Sequence, residues 1–419
     1  MLLDYTRQRL EMALQEVARL GESEFPNEES RDALQRLESV FRLRLAEVLA
    51  LDQGSDPATV RETCARAVDS LVSNLILLGF ILRSTNVRNA FEVCRPMSRL
   101  ARELLEPETT EAERRTKVVL SSEWQYSPIT YSAVPYLPGF VLIGLPASES
   151  DNPLLIPLAG HELGHALWTS RACEAEFAEQ IREQVIQSIS NHWGDYQEAF
   201  PAITIPPEEI TVNLFALETW RKASQWAMKQ AEETFCDCVA IRLFGVSYLH
   251  AFAYLLAPKS SGKRRLNYPN LNVRARDLVR AASAYGLEPP GGYAEMFDDQ
   301  PVPDLTQGDS FQLSIADEVL SSTRDLLTGK AQLLVPKGFC LATPPKEISR
   351  ILAAFGNVAP AQRIGQLADI VNAAWAAHHD THLWEDLPHI QSDRHAVLRD
   401  LVLKNIEVLE IEQILQEGV

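Results

Sequence analysis

Two histidines and a glutamate set inside an apolar run restrict what this chain can fold into more than any other feature. In "LIPLAGHELGHALW", Leu155 to Trp168, His161 and His165 stand four residues apart. On an α-helix that is a rotation of about 400°, so both imidazoles project from one face, a turn apart. Leu155, Ile156, Leu158 and Leu163 flank them and call for a buried helix, where unpaired imidazoles are costly. The spacing is the one two imidazoles need to share a single metal ion. Glu162 points about 100° away from His161. From there it is poorly placed to ligate the same ion but can reach a water beside it, as a general base does. The plain alternative, two satisfied histidines in a core or on a surface, explains neither the spacing nor the apolar flanks.

A catalytic zinc site needs a third protein ligand and an open fourth position. The arrangement HExxHxxGxxH is excluded, because residues Ala166 to Cys173 have no glycine or histidine where it requires them. Downstream, "QAEETFCDCVAIRLFG" carries Glu233 and Asp237, again four apart and on one helix face. Glu233 can ligate while Asp237 grips a ligand imidazole from behind, fixing its tautomer and raising its basicity. A solvated role for Glu233 conflicts with its apolar neighbours Phe235, Val239, Ile241 and Leu243, among which a buried carboxylate needs a cation. A rival reading closes the site with Cys236 as a thiolate, giving a structural centre. Cys238 faces elsewhere and reads as packing.

Around this motif the pattern is mostly helical. Residues 1–115 carry apolar stripes such as Leu34, Leu37, Phe41 and Val48, with a helix start at Asp56-Pro57. Between Lys117 and Leu145 short β-branched and aromatic runs broken by proline and glycine predict a small sheet. Helices return at about 154–168, 214–244 with Gly245 as the stop, and 247–256. Proline, glycine and acid crowd the stretch Pro289 to Asp309, ahead of a last helical block. The expected fold class is α+β, mostly helical. Its expected domains are an N-terminal helical domain (1–115), a metal-bearing domain (116–290), a linker (291–310) and a C-terminal helical domain (311–419).

With 39 basic against 57 acidic side chains the formal charge is -18, which repels phosphate backbones and anionic lipid headgroups, so no nucleic acid and no membrane is expected as partner. Lys263, Arg264, Arg265, Arg274, Arg276 and Arg280 run against that field and read as a solvated basic face. Six cysteines without a CxxC pair (Cys64, Cys94, Cys173, Cys236, Cys238, Cys340) suit reduced thiols in a cytoplasm. The first residues lack the pattern of a secretory signal. The apolar window Leu71 to Leu82 is too short to span a bilayer and carries Ser73 and Asn74, so it reads as a buried helix of a soluble protein. Near the C-terminus His378, His379, Asp380, His382 and His389 invite a second metal site, but no one periodicity collects them, and a polar loop accounts for them equally well.

With "HELGH", Glu233 and Asp237 in hand, the chain resembles the gluzincins, zinc peptidases whose third ligand is a glutamate on a later helix. The long interval from His165 to Glu233 is similar to that of the CAAX prenyl protease and HtpX families. "ETFCDCVA" resembles their ExxxDxxA, with Glu233, Asp237 and Ala240 in register. "YLPGFVLIGLPAS", Tyr136 to Ser148, resembles their edge strand before the metal helix, and "NYPNLNVRARDL" their HPPxxxR segment, with Tyr268 at the histidine and Arg274 at the arginine. The likeness covers roughly residues 117 to 290. The chain departs from these families in lacking their usual membrane helices, so the likeness does not imply a prenylated or membrane-bound substrate. The resemblance implies a zincin-like core and a Zn2+-dependent endopeptidase. His161, His165 and Glu233 would bind the ion, Asp237 would back a histidine, and Glu162 would be the general base. Tyr268 would be the oxyanion donor with Arg274 nearby, and Phe140, Val141, Leu142 and Ile143 would pair with a protein or peptide substrate. Two further possibilities stay open. One is a catalytically silent, zinc-stabilised interaction module. The other is a latent peptidase whose helical blocks answer a regulatory protein partner.

Overall fold

The structure, a computed structural model, describes all residues except 1, 26–27, 53, 85–89, 110–114, 124–128, 132–136, 147–148, 150, 258–262, 336–343 and 418–419. Cys340 and the two ends of the strand segment, Tyr136 and Ser148, lie outside the described residues. The chain divides into two compact units, Met1–Pro153 and Leu154–Val419.

In the first unit the elements are α1 (Leu2–Gly21), α2 (Glu28–Leu49), α3 (Pro57–Ser84), α4 (Cys94–Leu105), β1 (Lys117–Glu123), β2 (Ile129–Tyr131) and β3 (Phe140–Pro146). The predicted cap is present: Asp56 Oδ2 accepts from Thr59 N at 2.9 Å, ahead of Pro57 in the first turn. The stripe of α2, Leu34, Leu37 and Phe41, meets Leu71, Phe80 and Ile81 of α3, and the same core takes in Val119, Phe140 and Leu142 from the strands. α3 has the length and hydropathy to cross a membrane, with a window of mean hydropathy 1.6, so the Leu71–Leu82 window is part of a longer apolar helix than its own length suggests. Core helices pass the same test, and α3 buries Ala67, Leu71, Leu77, Leu78, Phe80 and Ile81.

The sheet has the order β1-β3-β2. β3 runs parallel to β1 from Phe140 opposite Lys117 onward and antiparallel to β2, with Leu142 opposite Tyr131 and Ile143 opposite Thr130. This corrects the expectation of an edge strand: Phe140, Val141, Leu142 and Ile143 lie on the central strand, with β1 along one side and β2 beside Leu142 and Ile143 on the other. Strand addition of a substrate needs unpaired N–H and C=O groups; Leu142 and Ile143 are paired with strands on both sides, and Phe140 and Val141 with β1 on one side.

The second unit holds α5 (Ile156–Ser170), α6 (Cys173–Asn191), α7 (Trp193–Ala199), α8 (Leu217–Phe244), α9 (Val246–Leu256), α10 (Leu271–Ala284), α11 (Gln307–Leu334), α12 (Pro345–Gly356), α13 (Leu367–His379), α14 (Pro388–Gln391) and α15 (Arg394–Glu417). α8 ends where predicted, at Gly245 with φ +62°, a conformation that favours glycine. α11 lies against α8: Gln312 Nε2 donates to Thr219 O at 2.8 Å and Arg242 Nε to Val335 O at 3.0 Å.

The packing units therefore differ from the domains expected at 116 and at 291–310. The strands complete the core of the N-terminal helices. Phe311, Ile315, Val319, Leu327 and Ala331 of α11 are buried in the unit that contains α8. Proline and glycine between 289 and 309 interrupt helix without interrupting that hydrophobic core.

Candidate metal centre

α5 is buried almost all round, including Ile156, Leu158, Leu163 and Leu167, as befits a helix at the centre of a core. Two glycines set how closely it approaches α8. A Cβ on Gly164 would sit 2.7 Å from Cys236 Cα, and one on Gly160 would sit 2.8 Å from Phe244 Cδ2. Next to His165 backbone thus meets backbone, next to His161 the backbone meets the Phe244 ring, and both histidines come within reach of Glu233.

His161 Nε2 lies 3.3 Å from Glu233 Oε2 and His165 Nε2 lies 3.7 Å from Glu233 Oε1. All three candidate ligand atoms fall within 4.8 Å of one another, and no other such group occurs among the described residues. Ligands bound at about 2.0–2.1 Å in tetrahedral geometry stand about 3.3–3.4 Å apart, so each imidazole sits close to the required separation from Glu233.

Each imidazole is held from behind. His161 Nδ1 lies 2.9 Å from Asp237 Oδ1, and His165 Nδ1 lies 3.0 Å from Glu232 Oε1. An ionised carboxylate only accepts, so Nδ1 carries the hydrogen in both rings and Nε2 is left as the ligating nitrogen. Asp237 is itself fixed by Arg274, whose Nε donates to Oδ2 at 2.6 Å and Nη2 to Oδ1 at 2.7 Å, and by the hydroxyl of Tyr248 at 2.6 Å. Glu232 accepts from Lys229 Nζ at 2.9 Å.

The charges here are short of a cation. Burial opposes ionisation of Asp237, but the Arg274 charge and hydrogen bonds and the bond from His161 outweigh it, keeping the carboxyl far below its ordinary range. Burial likewise opposes the imidazolium of His161, yet Asp237 and Glu233 together raise its pKa to about 10. Burial pushes Glu162 up, and the charges of His161 and His165 pull it back only in part. Glu233 Oε2 is buried and has no hydrogen-bond partner. A set of two imidazoles and one carboxylate that retains an extra proton and leaves a buried carboxylate oxygen unsatisfied fits a divalent metal ion.

The other sequence candidates fall as follows. Arg274 is 8% exposed, is engaged with Asp237, and stands 3.5 Å from Glu233 Oε2, so it supports the ligand shell from behind. The ring of Tyr268 lies 5.9 Å from the Arg274 guanidinium carbon, and the charge of Glu233, then burial, lifts its phenol to about 12. Cys236 packs against Gly164, and burial followed by the surrounding carboxylates keeps it a thiol. It is not among the converging ligands. The basic run is not a uniform solvated face: Arg264 is buried in a paired contact with Asp317 at 2.7 and 2.5 Å, and Arg274 is buried at the site.

Sequence reading missed Glu232, Tyr248 and the glycine pair. The doublet Glu232-Glu233 and the four-residue step Gly160 to Gly164 were available signals. Tyr248 sits beyond the break at Gly245, where no helical period connects it to Asp237. Of the C-terminal histidines, His382 faces Glu385 at 2.9 Å. None of the five residues of that run forms a three-ligand group among the described residues.

No family model, curated protein or solved structure matches this chain.

Proposed function

We propose that this protein is a zinc-dependent endopeptidase of the gluzincin type, acting on protein or peptide substrates in a reducing cytoplasm. The observation that supports it most is that two Nε2 atoms converge on Glu233, each ring backed by its own carboxylate, with Glu162 beside them. His2Glu with one open position is a donor set of catalytic zinc. When bound, zinc supplies Lewis-acid polarisation of a carbonyl and of water.

The chain's own residues supply the rest. Asp237 and Glu232 hold the Nδ1 sides of His161 and His165 and so aim each Nε2 at the place an ion would occupy. Glu162, its pKa lifted by burial, takes a proton from water and returns it to the leaving amine. Tyr268, whose raised pKa keeps its hydroxyl protonated, donates to the oxyanion. Arg274 acts through Asp237 and neutralises part of the buried negative charge.

The test is metal content and cleavage of a proteome-derived peptide library by the full chain and by Glu162→Gln. The expected result is one zinc bound by each, with cleavage by the variant reduced by about 10²–10⁴-fold. Equal cleavage removes Glu162 from the mechanism. Metal retained by both with no cleavage by either turns the reading to a zinc-stabilised interaction module.

A further inference from the structure

Away from this centre, histidines from three helices gather around one indole. Trp375 on α13 donates from Nε1 to Leu154 O at 3.0 Å. His250 of α9 stacks on it with centroids 5.3 Å apart, and His379 stacks at 5.7 Å. His378 meets the same ring edge-on at 5.2 Å, and His395 of α15 lies 5.3 Å from His378. The closest approach is His250 Nδ1 to His379 Nε2, 3.1 Å, with ring centroids 4.6 Å apart.

Two imidazole nitrogens bound to one ion at about 2.0–2.1 Å, at angles of about 90–110°, stand about 2.9–3.4 Å apart. The His250–His379 separation falls in that interval. Burial, followed by the neighbouring histidines, lowers His250 to about 4, and burial lowers His379, so both rings are neutral at neutral pH, the form that ligates. Beside them His378 Nδ1 is buried with no hydrogen-bond partner. The fixed stack on Trp375 limits rotation of both rings, so the pair is oriented before any ligand arrives.

We infer that His250 and His379 form a second metal site, a two-histidine bridge between α9 and α13 for a divalent imidazole-preferring transition ion. No third ligand atom converges on the pair among the described residues, so water completes the coordination, and binding is weaker than at His161, His165 and Glu233. The bridge ties α13 to the helix that carries Tyr248. It does not depend on the reading of the first centre as a peptidase.

Equilibrium dialysis of the full chain against Ni2+ at neutral pH, with metal analysis, tests the site on wild type, His250→Gln, His379→Gln and His389→Gln. His379 and His389 are exposed, so those variants probe metal binding without disturbing the core. The expected result is one equivalent fewer in His250→Gln and in His379→Gln, and no loss in His389→Gln. Ni2+ should also raise the melting temperature of wild type more than that of either pair variant. Equal stoichiometry in all four proteins overturns the proposal and leaves the contact as an N–H···N hydrogen bond. Equal losses in all three variants overturn it too, as nonspecific histidine binding.

Discussion

Behind His161 stands Asp237, 3% exposed and held by Arg274 and Tyr248. Behind His165 stands Glu232, whose further partner is Lys229, with half of its side chain in solvent. One face of the centre is therefore braced by a fully desolvated network and the other by a chain of contacts that leads to the surface. Removing a partner from a buried charge pair exposes the full desolvation cost of the remaining charge, whereas water replaces a surface partner cheaply. The inner face should set whether the site forms, and the outer face should tune it.

Asp237→Asn should have the largest effect. It leaves Arg274 buried without its carboxylate partner, so about 3–5 kcal/mol of stability should go, together with about 10–100-fold in metal affinity. Denaturant unfolding and chelator competition measure both, and a loss below 1 kcal/mol would break the contrast between the faces.

Second comes the pH dependence of the metal-free protein. His161 is raised from 6.5 to about 10. Its contribution to stability is complete below about 6.5 and is lost as pH rises through about 10. Glu232 goes the other way, from 4.5 down to about 2, because its bonds from His165 and Lys229 outweigh burial. Its contribution is present above about 4.5 and is lost as pH falls through about 2. Thermal melts of chelator-treated protein should therefore fall in two separate windows, with the alkaline one assigned to the inner face. A flat alkaline limb would contradict that assignment.

Smaller still is Glu232→Gln. An amide retains a hydrogen bond to His165 but loses the charge, so metal affinity should fall by about tenfold with little change in folding, as read by metal competition alongside circular dichroism. Lys229→Met should be the smallest, within about 1 kcal/mol. A larger change on both measurements would mean that the outer face carries more of the site than its exposure suggests.

How much of this was legible beforehand follows the range of the forces involved. His161, His165, Glu233 and Asp237 were readable because a helix repeats locally, and a step of four residues puts two side chains on one face whatever the rest of the chain does. The apolar flanks of α5 and α8 likewise announced burial. Phe140 to Ile143 could be read as a strand but not as a central or an edge one, since that depends on partners supplied by segments 117–123 and 129–131. The stretch Pro289 to Asp309 separates α10 from α11, and the packing unit from Leu154 to Val419 runs through it, because a core is bounded by packing and not by helix-breaking residues.

From its residues alone, then, the chain determined a helix bearing two imidazoles, a second helix bearing two carboxylates, and a charge pattern that asks for a cation between them. Folding in three dimensions decided which carboxylate backs which ring and brought Tyr248 and Arg274 to Asp237. It also assigned the strands to the N-terminal core and set His250 against His379. The first set depends on backbone periodicity over one or two turns. The second depends on contacts between residues far apart in sequence, selected by close packing and by the need to pair every buried charge.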